Sequence, residues 1–175
     1  MAMTLDGSAG VTYPVVAGAS SAVQASSAKV IQVATFTTGA VATGTGTIPQ
    51  DDTIPQITEG TEFMTLAITP SSATNTLIIN VVISMSANAT NYSVAALFQD
   101  STANAIASAM FYQSSTASIM GCFSWKMTAG TTSSTTFRVR AGCAAASTTT
   151  FNGISAGRQL GGSMASSITI YEVAG

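Results

Sequence analysis

Between Leu77 and Met85 the apolar residues Leu77, Ile79, Val81, Ile83 and Met85 recur at every second position, while Asn80, Ser84 and Ser86 share the other parity. A period of two builds an extended strand with one greasy face. It cannot build an amphipathic helix, which needs apolar residues every third or fourth position. The same alternation returns in Met64, Leu66 and Ile68, and in Ile119, Phe123, Trp125 and Met127 opposite Ser124 and Lys126. It returns again in Phe137, Val139 and Ala141 against Arg138 and Arg140, and finally in Ile168 and Ile170. Turn residues separate these runs: Pro70-Ser71-Ser72, Asn88 to Asn91, Ala129-Gly130, Asn152-Gly153 and Gly161-Gly162. The even spacing predicts an all-β, antiparallel β-sandwich, and eight or so strands of this length suit a jelly roll. Residues 92–113 read two ways. Their alanines suit a helix, but Asp100-Ser101-Thr102 has turn chemistry and favours a hairpin.

The chain has 175 residues, enough for one domain with a full core. Charged residues make up 7% of it, against roughly a quarter in an average soluble protein. Five basic and seven acidic side chains cannot supply the phosphate-neutralising surface of a nucleic-acid binder. With no histidine and two cysteines, the common zinc, iron and copper sites and the Ser-His-Asp and Cys-His nucleophile arrangements lack their parts. No cofactor and no enzymatic activity are therefore expected. No run reaches the ~20 apolar residues of a membrane-spanning helix, so no membrane insertion is expected. An exterior so poor in charge has few defences against association. The expected use of that exterior is contact with identical copies.

Residues 1–28 are small, polar and rich in glycine and serine, with little to bury. They are expected to form an extended N-terminal arm that attaches to a larger assembly, leaving 29–175 as the sandwich. The tetrapeptide Thr47-Ile-Pro-Gln50 is repeated as Thr53-Ile-Pro-Gln56 around Asp51-Asp52. Pro49 and Pro55 exclude a central strand. The segment is expected to cross the surface in extended form, with Ile48 and Ile54 as anchors. Asp51, Asp52, Glu59 and Glu62 cluster there. Hard oxygen ligands of this kind can hold Ca²⁺, but no EF-hand spacing exists, and a solvated loop is the simpler reading. The same carboxylates could be paired on paper for glycoside hydrolysis, though nothing in their spacing selects an acid and a nucleophile.

Lys126, Arg138 and Arg140 are expected on the polar side of a hairpin turning at Gly130. Like charges repel across strands, so an acidic partner is needed, with Glu172 and Glu62 the candidates. The sharper alternative is a contact to an acidic sugar or a neighbouring subunit. On that hairpin Cys122 and Cys143 would point to opposite faces, so two free thiols are expected. Phe111, Tyr112, Phe123, Trp125 and Phe137 are core or subunit-contact candidates.

The stretch from Val30 through residues 47–63, with Leu66-Ala-Ile-Thr-Pro70 and Thr76-Leu-Ile-Ile-Asn-Val81, resembles structural proteins of tailed bacteriophages and prophages. Phe137-Arg-Val-Arg140, Asn152-Gly153, Arg158, Gly161-Gly162 and residues 166–170 are similar to the close of the same modules, and Leu5-Asp-Gly7 with Gly10-Val-Thr12 to the opening of phage fibre proteins. The resemblance implies a homotrimeric β-sandwich on a virion, joined to other virion proteins through residues 1–28. As a small fibre or tail-tip module, made in the host cytoplasm, it would contact a host surface glycan or receptor. A capsid decoration protein of the same fold is the alternative. A polysaccharide-degrading tail enzyme is a third reading, disfavoured by the missing catalytic groups. The family carries over no catalytic or ligand-contact residues.

Overall fold

The computed structural model describes residues 4–6, 10–12, 29–114 and 116–175. Most of the expected N-terminal arm therefore lies outside the described residues. Within it, β1 (Thr4–Asp6) and β2 (Gly10–Thr12) pair antiparallel.

The sandwich begins with β3 (Val30–Thr38), followed by β4 (Ala42–Gly44), β5 (Thr61–Ile68), β6 (Thr76–Ala87), β7 (Asn91–Gln99) and β8 (Ala107–Gln113). Then come β9 (Ile119–Thr128), β10 (Thr135–Cys143), β11 (Thr149–Phe151), the short β12 (Gly153–Ile154) and β13 (Gly157–Arg158), and β14 (Ser166–Val173). Two antiparallel sheets face each other. One has the order β3-β14-β6-β9, with the short β11 and β4 added in turn beside the end of β6, and the other β5-β10-β7-β8. With the eight long strands (β3, β5 to β10 and β14) taken in chain order, this is first-eighth-third-sixth against second-seventh-fourth-fifth. That order is the jelly roll, two interlocked Greek keys.

Period two explains why the sheets close on each other. Leu77, Ile79, Val81, Ile83 and Met85 are all buried, as are Ile168 and Ile170 beside them and Met64, Leu97, Phe137, Val139 and Ala141 opposite. The run 91–113 is a hairpin, with Asp100 at positive φ in its turn. One free edge is sealed by glycine: a Cβ on Gly121 of β9 would fall 2.2 Å from the Phe111 ring of β8. The ring lies across the bare backbone and joins the two sheets.

The expected β9–β10 hairpin does not form. Gly130 has φ +70, yet its N–H and that of Ala129 bond to Ala73 and Asn75 in the neighbouring loop. The chain then crosses to the other sheet, where β10 pairs with β5 and β7. Cys122 and Cys143 are both free, but because they belong to opposite sheets, Cys122 exposed and Cys143 buried. At one pole the chain's entry and exit meet, with Ala174 N–H donating to the Lys29 carbonyl at 2.9 Å.

Glu172 shares its parity with Ile168 and Ile170, so it points inward at the same pole, and solvent reaches none of it. Burial alone would raise its pKa. The side-chain amides of Asn75 and Gln32 and both the hydroxyl and N–H of Ser71 donate to its carboxylate. They outweigh the burial and hold the carboxyl down at about 2. Glu172 is thus a polar clamp and does not meet the basic residues.

Candidate functional site

The strap 47–60 lies across the outer face of the β5-β10-β7-β8 sheet. Ile48 is fully buried there with Val94, Ala96 and Phe98, and Ile57 packs against the same cluster. Ile54, the expected second anchor, is 54% exposed. The repeated tetrapeptides thus have different fates. Thr47 bridges to Cys143, and Ile48 N–H donates to the Cys143 carbonyl at 3.1 Å. Gln56, at the end of the second copy, bridges to Asn104, and Pro55 accepts from Ala105 N–H. Only the isoleucine of the first copy enters the buried cluster on the sheet's outer face.

Of the three candidate basic residues, the structure brings two together. Arg138 and Arg140 reach Glu62 at 3.2 and 3.6 Å. Arg140 also donates to the carbonyls of Glu59 (2.7 Å) and Gly60 (2.8 Å), which pins the end of the strap. Arg138 Nε donates to the Asp100 carbonyl at 3.4 Å. Half-exposed ion pairs of this kind contribute under about 1 kcal/mol each, so their role is placement. Lys126 stands on the other sheet, in register with Ile78. The three do not form one site because the chain changes sheets between residues 126 and 138.

The acidic residues also have separate partners. Asp51 accepts from the Thr53 hydroxyl and N–H, and those bonds lower its pKa from the ordinary value. Glu59 accepts from Gln56 N–H. Among the described residues no group of three or more acidic or cysteine side chains is placed to hold a metal ion.

Two surfaces remain. The first is the outer face of the β3-β14-β6-β9 sheet. Its register gives three rows: Val33, Tyr171, Ile78 and Lys126; then Thr35, Thr169, Asn80 and Ser124; then Thr37, Ser167, Val82 and Cys122. Across these twelve positions there is one charge, Lys126. Val33 is 53% exposed, and a shallow depression of about 440 Å³ lies over Asn80, Val82, Cys122 and Ser124. The second surface is a trough between the strap and β8. Its widest part, about 490 Å³, opens between Pro49-Gln50-Asp51 and the paired rings of Tyr92 and Tyr112, 5.2 Å apart. Sequence reading missed this pair, because it needs the β7–β8 register, in which Tyr92 faces Tyr112.

No protein-family model matches the chain, and no curated protein sequence does either. Solved structures with a similar outline include the C-terminal domain of the sugar-binding protein EclA, at 12% identity, covering 65% of this chain and 74% of that one, with a TM-score of 0.37. The Eiger TNF of S. frugiperda is similar at 8% identity, covering 81% and 93%, with a TM-score of 0.45. The VP2 subviral particle of infectious bursal disease virus is similar at 13% identity, covering 83% and 38%, with a TM-score of 0.40. At these scores the fold assignment rests on the strand order, and the likenesses add no function to it.

Proposed function

We propose that this chain is a non-enzymatic structural module of a phage virion, carried on a fibre or tail tip, that assembles as a homotrimer through the outer face of β3-β14-β6-β9. The observation that carries the assembly is the three-row face with its single charge. A flat, nearly neutral sheet face offers hydroxyl and apolar contacts to a copy of itself and nothing to an oppositely charged partner. The virion setting is supported by the sequence resemblance described above, with residues 1–28 as the joining arm.

Sedimentation of the full chain is expected to show a species of three times the 17.6 kDa chain mass. Val82→Arg, on an inner strand in the third row of the face, is expected to reduce it to single chains. Ile54→Arg, on the strap of the other sheet, is expected to leave it unchanged. Cys122 lies within the face, so its thiol should react slowly in the wild type and rapidly in Val82→Arg. A monodisperse single chain at all concentrations in the wild type would overturn the assembly.

A further inference from the structure

We propose that the trough between the strap and β8 binds a neutral saccharide, with Tyr112 and Tyr92 as its stacking wall. Tyr112 is 60% exposed, and the two rings meet at 56°, so together they present an angled aromatic surface to the opening. Such rings offer an apolar face to C–H groups and a hydroxyl at the far end. Among the described residues neither phenol hydroxyl has a hydrogen-bond partner, and neither does the Gln50 amide on the opposite wall. Ala144 and Ala145 close the end without filling it. A pocket of apolar walls with a few converging polar groups suits a small molecule that carries both kinds of surface, and a sugar ring does.

The charge of the ligand follows from Asp51. Its Oδ1 is taken by Thr53. The carboxylate stands in the lining with no basic residue beside it. An anionic sugar would meet a like charge there and no counter-charge. Arg138 and Arg140 on β10 are occupied by Glu62 and, for Arg140, the strap carbonyls. A peptide is the other candidate occupant. It would add by strand pairing at the β8 edge, whereas this opening lies over the outer face of the strand. The trough continues past Met110 to Ser108 under the strap, in two further openings of about 280 Å³ each. Ser108 to Tyr112 spans about 13 Å of strand, so the site is elongated and fits a short oligosaccharide.

The inference stands apart from the trimer reading, because the trough belongs to the other sheet. Its test is saturation-transfer NMR on the full-length protein with maltotriose, cellotriose and triacetylchitotriose as neutral probes, and 3′-sialyllactose as the acidic one. At least one neutral probe is expected to receive saturation, and 3′-sialyllactose none. Tyr112→Ala is expected to weaken the neutral probe at least tenfold, while Tyr112→Phe, which keeps the ring and the fold, should lose only a few-fold. Asp51→Asn should keep the neutral probe and admit the acidic one. Absence of transfer to every neutral probe overturns the proposal. So does binding that Tyr112→Ala leaves unchanged, or equal binding of 3′-sialyllactose by the wild type.

Discussion

Replacing Glu172 by alanine is expected to destabilise the fold by about 1–3 kcal/mol and to remove most of its sensitivity to acid. The magnitude follows from what is left behind. Asn75, Gln32 and Ser71 together place four donors on this buried carboxylate, from a rim at which Gln32 and Ser71 meet solvent. Of these donors Asn75 alone is buried, and a buried donor without an acceptor costs roughly 1–3 kcal/mol. The pH dependence has a fixed sign. The carboxyl falls from its ordinary 4.5 to about 2 on folding, so the unfolded chain takes up the proton more readily. The stabilisation is complete above pH 4.5 and is lost as pH falls from there through 2. Urea melts of wild type and Glu172→Ala between pH 7 and pH 2 measure it. The wild-type midpoint should drop across that window, and the variant's should change much less. Parallel slopes would mean that the group titrates alike in both states.

The second large effect separates the two copies of the repeated tetrapeptide. Ile48→Ala is expected to cost about 2–5 kcal/mol, the usual range for truncating a fully buried aliphatic side chain, because Ile48 fills the cluster beneath the strap. Ile54→Ala, at the equivalent position of the second copy, is expected to fall within about 0.5 kcal/mol of wild type, as surface changes do. Denaturant midpoints of the two variants, taken side by side, check it. If Ile54→Ala proved as costly as Ile48→Ala, the strap would have to sit differently on the sheet.

These residues also show what the sequence could and could not reveal. Alternation identified the buried faces of β5, β6, β10 and β14, because a slip of one residue would turn each apolar set to solvent. It could not choose between a hairpin and a crossover at Gly130. Both need a residue at positive φ, and the deciding bonds go to Ala73 and Asn75, far away in sequence. The expected grouping of Lys126 with Arg138 and Arg140 failed for that reason alone. Glu172 was legible in principle, since it continues the inward parity of Ile168 and Ile170. Its charge suggested surface instead. Ile48 and Ile54 have identical neighbours on both sides, so only the apolar floor under one of them separates their fates. The tyrosine pair depended on the turn length: a tight turn at Asp100-Ser101-Thr102 would set Tyr92 against Met110, whereas the longer loop 100–106 brings it to Tyr112. Asn152 read as a turn residue. It has positive φ, but it is buried, donating to Thr38 and Ala40 and accepting from Ser166.

The meeting of Lys29 with Ala174 has a mechanical consequence. The tyrosine opening is built from the ends of β7, β8 and β10 that lie furthest from that junction. A tether pulling before Lys29 against a grip at that opening would load the β3–β14 ladder lengthwise. Its cross-strand bonds would then be sheared together and not peeled one at a time, which is the direction in which a pair of antiparallel strands resists tension best.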